Sequence, residues 1–201
     1  KTTTCVVLKN DVFSEYNAAI KEAVNDFWDI TPVEFISESD FNSLRNDAGK
    51  SFLMVFQVSF EGDKQNTLFD FLILTLGGKY KKVNDMPNLC AIPLCYNGED
   101  DETSYIYKLG VMVKHCKSHL EICSKNPELT ADKMYDFYRK NAESMETKNL
   151  CVLKEELSSE LLDKSVFKSN YPYKFEFVSK EQIQNLIKQN DEEDAIKHVI
   201  S

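Results

Sequence analysis

Glycine is scarce in this chain, 6 in 201 residues, and the spacing of those six excludes the common phosphate cradles. Neither Gly-x-Gly-x-x-Gly nor Gly-x-x-x-x-Gly-Lys-Ser/Thr occurs, so the turns that wrap a dinucleotide or a nucleoside triphosphate are missing. Gly77-Gly78-Lys79 follows an apolar run, but no helix with free amides follows it in turn. Histidine is scarcer still, limited to His115, His119 and His198. A Ser or Cys nucleophile needs a base at hand, and no Gly-x-Ser-x-Gly elbow is present. His198 falls in an apolar stretch that reads as strand, a structural position. Long apolar runs are absent too. The longest, Leu68–Leu76, is strand-sized and carries Asp70, well short of the roughly 18 residues of a membrane span. Basic charge is in deficit, with 24 Lys and Arg against 33 Asp and Glu and a net charge of −9. Such a balance repels phosphate backbones and anionic membrane surfaces, so nucleic acid is not an expected partner. The six cysteines (Cys5, Cys90, Cys95, Cys116, Cys123, Cys151) are too few and too spread for a disulfide scaffold. Cys90–Cys95 and Cys116–Cys123 are the local candidates for a bridge.

What is present is a strand-and-helix pattern that occurs twice. In the first copy, Val33 and Phe35 alternate with Glu34 and Ile36; in the second, Tyr173, Phe175 and Phe177 alternate with Lys174 and Glu176. A period of two in β-branched and aromatic residues predicts a strand. Ser37 and Ser179 then stand three residues before Asp40 and Gln182, the spacing of a capping box. Ile36 and Phe41, like Val178 and Ile183, flank those caps as hydrophobic staples. Each cap contributes on the order of 1 kcal/mol.

Taken in order, the chain predicts a strand at Thr4–Lys9, a helix over 12–27 capped by Asp11, a strand at 32–36, a helix over 38–48 stopped by Gly49, and a strand at Ser51–Phe60. A polar turn at 61–66 and a strand at Leu68–Leu76 then form a hairpin with it. Leu89–Tyr96 is one more strand, which Pro93 restricts to an edge or a bulge. Residues 97–102 are an acidic loop. Ile106, Leu109, Val113, Cys116, Leu120 and Cys123 recur by threes and fours, predicting a helix over 104–123. A helix over 131–143, capped by Thr130, follows. The opening pattern then returns: Leu150–Lys154 matches Cys5–Lys9 at an offset of 145 (Leu8 to Leu153), a helix covers about 157–168, and Ala195–Ile200 matches Phe52–Phe56.

The expected fold is α/β, with two similar β-α-β-α-β halves (three-layer, mixed sheets) and a hairpin and two-helix insertion between them. The expected division is 1–60, 61–148 and 149–201. Beyond Ser201 the chain either continues or leaves an edge strand that needs covering.

Four groups of side chains are candidates for chemistry. His115, Cys116, His119 and Cys123 share one helix at metal-ligand spacings, but the cysteines belong to its apolar stripe, one helix does not readily close a tetrahedral site, and no metal or cofactor is expected. Glu34 and Glu176 are equivalent carboxylates, and Asp70 interrupts an apolar strand; on half-buried sheets such residues usually face solvent. Lys9-Asn10-Asp11 and Lys154-Glu155-Glu156 follow the first strand of each half, where open α/β sheets bind ligands, but charges there are read first as marking a loop. No catalytic residue is assigned.

The run Phe27-Trp-Asp-Ile-Thr-Pro-Val-Glu-Phe-Ile36 resembles a segment of uncharacterised exported α/β proteins of Bacteroidetes, over about the first 60 residues. The resemblance implies an envelope location and carries over no catalytic or ligand-binding residue. The chain opens on Lys1 rather than Met, which a removed export signal would explain, as would trimming. The expected function is therefore a non-catalytic ligand- or protein-binding α/β protein of the bacterial envelope. Its partner is an unknown protein or small molecule, and a homodimer is allowed for. The alternative is a hydrolase or transferase with its active site at strand carboxyl ends. A deep pocket holding two or more of Lys9, Asp11, Asp70 and Lys154 would favour that alternative.

Overall fold

The β-branched run near the amino end forms β1 (Thr3–Leu8), with Thr4 to Val7 buried. The computed structural model describes residues 2–11, 13–65, 67–96, 102–129, 131–189 and 194–196. After β1 come α1 (Glu15–Phe27), β2 (Val33–Ser37), α2 (Glu38–Leu44), β3 (Lys50–Ser59), β4 (Leu68–Leu76) and β5 (Asn88–Tyr96). Then follow α3 (Leu109–Lys125), α4 (Ala131–Asn141), β6 (Asn149–Leu153), α5 (Lys164–Asn170), β7 (Phe175–Val178), α6 (Lys180–Gln189) and β8 (Asp194–Ile196). The chain divides into two units, Lys1–Glu121 and Ile122–Val199.

In the first unit the strands lie in the order β2-β1-β3-β4-β5. β1 runs parallel to β2 and β3, and the β3–β4 and β4–β5 pairs are antiparallel. The sheet is therefore mixed. The connection from β1 to β2 steps one way and the connection from β2 to β3 crosses back over β1. Right-handed crossovers in opposite directions put their helices on opposite faces, and the buried residues sort accordingly. Val6, Leu53, Leu72 and Leu74 pack with Tyr16, Ile20 and Val24 of α1 and with Val113 and Cys116 of α3. Cys5, Val7, Phe52, Met54 and Ile73 pack with Phe41 of α2 and with Met86. The result is a three-layer α/β arrangement. Each fully buried Leu or Ile contributes roughly 1.5–3 kcal/mol of hydrophobic stabilisation.

The run from Phe27 to Ile36 has a structural explanation. Trp28 closes the carboxyl end of α1, its indole N–H donates to Thr31 Oγ1 (2.8 Å), and the Thr31 hydroxyl meets that of Thr4 at 2.6 Å, which in turn meets Ser51 at 2.9 Å. This chain of hydroxyls pins the entry to β2 against β1 and β3.

In the second unit β6 lies between β7 and β8, parallel to both, so this sheet is parallel rather than mixed among the described residues. Both capping boxes form: Ser37 with Asp40, and Ser179 with Gln182. Phe41 and Ile183, the staple residues, are buried. The register moves the correspondence between the strands by one residue. Cys5 lies opposite Glu34, and Cys151 lies opposite Glu176. Cys5 therefore answers to Cys151, one residue away from the offset that pairs Leu8 with Leu153. A slip of one would turn every side chain to the other face. Phe177 packs against Phe167 of α5 at 5.2 Å, and Phe35 lies under Lys21 of α1 at 6.0 Å, so the two aromatic residues occupy the same face of their strands.

Several helix boundaries differ from expectation. α1 begins at Glu15 rather than 12. Asp11 instead folds a turn, its carboxylate accepting the Phe13 amide at 2.9 Å. α2 ends at Leu44, not 48, because the Arg45 guanidinium donates to the carbonyls of Tyr80 and Lys81 and the Arg45 carbonyl accepts from Gly78 (2.9 Å). Gly49 is held by the Asp47 carboxylate and does not stop the helix. Two short 3-10 turns occupy Glu102–Ser104 and Ile106–Lys108 before α3 starts. α5 starts at Lys164 instead of 157 because Asp163 caps it, accepting the Ser165 amide at 2.7 Å. β5 is an edge strand, and Pro93 sits beside a register shift. Thr130, the expected cap of α4, and residues 197–200 lie outside the described residues.

Candidate functional site

The carboxyl end of β1 is where the sheet changes winding direction. The loop that leaves it is held firmly: Asn17 Oδ1 accepts the Lys9 amide (2.9 Å), and Asn17 Nδ2 donates to the carbonyls of Lys9 (2.9 Å) and Asp11 (3.1 Å). Asn10 Nδ2 donates to Glu38 Oε2 at 2.7 Å, joining this loop to the first turn of α2.

Behind the loop lies a cluster of polar groups assembled from distant parts of the chain. Ser14 makes no side-chain cap for α1. Glu102 supplies it instead: its carboxylate accepts from the Tyr16 amide (2.9 Å) and the Ser14 hydroxyl (2.9 and 3.0 Å). The same carboxylate holds Lys9 Nζ at 2.7 Å, with both side chains less than a third exposed. Lys9 Nζ also lies 3.2 Å from Tyr105 Oη and faces the rings of Tyr16 and Tyr105 at 5.3 and 5.9 Å. Burial tends to raise the Glu102 pKa, but the Lys9 ammonium, the Tyr16 amide and the Ser14 hydroxyl outweigh it and hold the carboxyl below its ordinary value. Burial, reinforced by the Glu102 charge, pushes both Tyr16 and Tyr105 up, so both phenols stay neutral. The Tyr16 hydroxyl is fully buried without a hydrogen-bond partner.

In front of the cluster opens a cleft of about 280 Å³ lined by Val7, Leu8, Lys9, Tyr16, Glu38, Phe41, Asn42, Met54, Val55 and Phe56. It lies at the carboxyl end of β1 and along β3, the winding-reversal position at which open α/β sheets hold ligands. Its floor is apolar, from Val7, Phe41, Met54 and Phe56; Lys9, Glu38 and Asn42 supply the polar groups. Among the described residues lining it there is no Cys, His, Ser or Asp.

Of the four residues expected to mark a catalytic pocket, Lys9 lines this cleft and Asp11 and Asp70 do not. Asp70 lies opposite Gln57 and Cys95 on the neighbouring strands and contributes to the field at Tyr105. Lys154 belongs to the second unit, where Lys154-Glu155-Glu156 forms one 3-10 turn and Glu155 reaches Lys180 at 3.9 Å. Glu34 is bound by Lys50 at 2.8 Å. Glu176 lines a shallow recess of about 180 Å³ with Val178, Gln182 and Leu186. Gly77 and Gly78 form a tight turn packed on the chain around Asp47 and Tyr80, not a phosphate cradle. His198 lies outside the described residues.

His115 and His119 stack with ring centres 6.2 Å apart. Cys116 of the same helix meets Cys90, Sγ to Sγ 3.4 Å. Among the described residues no group of three or more His, Cys, Asp and Glu is placed to hold a metal ion. All six cysteines are free thiols. Neither local bridge can form: seven residues of helix separate Cys116 from Cys123 by about 10 Å, and five residues of strand separate Cys90 from Cys95 by about 16 Å.

Glu102 and Tyr105 are the site residues that sequence reasoning missed. Both lie beyond any local pattern that includes Lys9, and the only hint was the placement of an acidic loop before an apolar helix. No helix among the described residues is long and apolar enough to cross a membrane. Comparison with models of protein families, with curated proteins and with solved structures finds no match for this chain.

Proposed function

We propose that this chain is a non-catalytic binding protein of the bacterial envelope that holds a small amphipathic molecule in the cleft at the carboxyl end of β1. The observation that carries the binding reading is the cleft itself: an apolar floor with a few fixed polar groups at the point where the sheet reverses its winding. A volume of about 280 Å³ suits a ligand at the small end of the usual range. The apolar part of such a ligand rests on Phe41, Met54 and Phe56, and its polar part meets Asn42, Glu38 and Lys9. The non-catalytic reading follows from the bonding of the charged groups: Lys9 is committed to Glu102 and Glu38 to Asn10, and no nucleophile–base pair lines the cleft. The envelope location is supported by the Phe27–Ile36 resemblance.

Methyl-detected NMR with a fragment library tests the binding. Amphipathic fragments are expected to shift the methyls of Val7, Leu8, Met54 and Val55. Asn42 is exposed at the mouth, so Asn42→Trp covers the cleft without disturbing the core and weakens that binding at least tenfold. Absence of shifts at these methyls, or shifts that Asn42→Trp leaves unchanged, overturns the reading. Recovery of the protein in the cytosolic fraction of its source cells removes the envelope part.

A further inference from the structure

Cys90 lies on the edge strand β5 and Cys116 on α3, 26 residues apart in sequence. Both are buried, at 8% and 0% exposure, and their sulfurs are 3.4 Å apart. A disulfide has sulfurs about 2.05 Å apart, so these two are separated by little more than a shift of about 1.4 Å. The surroundings favour that shift. The pairing of β5 with β4 changes register between Leu74 and Thr75, immediately beside Cys90, and such irregularities let an edge strand bend. Cys116 sits in the middle of a 17-residue helix packed on the sheet, which holds one partner still while the other approaches.

We propose that Cys90 and Cys116 are a disulfide-forming pair that closes in an oxidising compartment and ties β5 to α3. The co-reactant is a disulfide of low molecular weight, such as glutathione disulfide. Cys90 is the entry point because it retains some exposure and Cys116 none. The Cys116 S–H donates to Cys90 Sγ, which favours the Cys90 thiolate and holds its pKa below that of an ordinary thiol. The Cys90 thiolate attacks one sulfur of glutathione disulfide, forms a mixed disulfide and releases one glutathione thiolate, which takes up a proton. Cys116 then loses its proton and attacks Cys90 Sγ, releasing the second glutathione. Two protein thiols are oxidised, one external disulfide is reduced to two thiols, and the protein becomes lighter by two hydrogen atoms.

The test uses the full chain purified under reducing conditions, then equilibrated with glutathione disulfide, denatured in acid, alkylated and digested. Before oxidation all six cysteines are alkylated. Afterwards the expected result is four, with Cys90 and Cys116 recovered in one linked peptide that dithiothreitol separates. Cys116→Ala should abolish the linked peptide and Cys123→Ser should leave it intact. Because the peptide map is read on the wild-type chain, the result does not depend on either variant folding. Six alkylated cysteines after prolonged oxidation, a linked peptide joining any other pair, or Cys90 recovered only as a glutathione adduct overturns the proposal. The cleft reading is unaffected by either result.

Discussion

Removing the Glu102 carboxylate tests the central polar cluster directly. In the folded chain it accepts from the Tyr16 amide, the Ser14 hydroxyl and the Lys9 ammonium at 2.7 to 3.0 Å. Glu102→Ala therefore removes the cap of α1, a loss of about 1 kcal/mol. It also leaves the Lys9 ammonium, on a side chain 29% exposed, without its counter-ion, a further cost of about 1–3 kcal/mol. The sum is about 2–4 kcal/mol. With a urea dependence of about 2 kcal/mol/M, the unfolding midpoint falls by about 1–2 M. Trp28 is the only tryptophan and is 6% exposed at the end of α1, so its fluorescence reads the first unit specifically. Lys9→Met combined with Glu102→Ala should recover part of the loss, with a coupling of about 1–2 kcal/mol. The pH dependence has a fixed sign. The Glu102 pKa is depressed in the folded chain, so its stabilisation is present above the unfolded value of about 4.3 and lost as pH falls through the folded one. The stability gap between wild type and Glu102→Gln should then close on acidification below about pH 4. A loss under about 0.5 kcal/mol for Glu102→Ala, or zero coupling to Lys9, would refute this account of the cluster.

Two further perturbations follow from local geometry. A Cβ at Gly77 would run into the Asp47 carbonyl oxygen and come within 3.1 Å of the Lys50 oxygen and the Phe52 ring, so Gly77→Ala should cost about 3 kcal/mol in urea unfolding. Gly62→Ala, in open space at a φ of +87°, should cost about 1 kcal/mol; the reverse order would show the contact at Gly77 to be wrong. Tyr16 and Tyr105 have raised pKa values, so their contribution to stability is complete below the unfolded value of about 10 and is lost as pH rises beyond it. In an absorbance titration of the folded protein, Tyr16→Phe and Tyr105→Phe should leave the step near pH 10 unchanged, and a step reduced by one phenol in either variant would contradict their burial.

The amino-acid sequence by itself determined the elements whose signals are local. The strands at β1, β2 and β7, the capping boxes at Ser37 and Ser179 and their staples all lie within a few residues of chain, and each formed as the spacing requires. The α/β class followed from their order. The candidate site was legible only as a position, the carboxyl end of β1, and of the four residues named for a pocket there Lys9 alone lines the cleft. The tertiary structure decided the rest. Glu102 caps α1 from 86 residues away, and nothing near Ser14 in the sequence distinguishes that carboxylate from the others of its acidic loop. Asp11, the better local candidate, was left to fold a turn. Cys90 found Cys116 rather than Cys95 because helix packing on the sheet, not separation along the chain, sets which sulfurs meet. The correspondence between β1 and β6 likewise shifted by one residue, since the matching letters run equally well in either register and only the faces of the sheet distinguish them. Interactions that close within one turn are written in consecutive residues; those that close across the core depend on where every other element comes to rest.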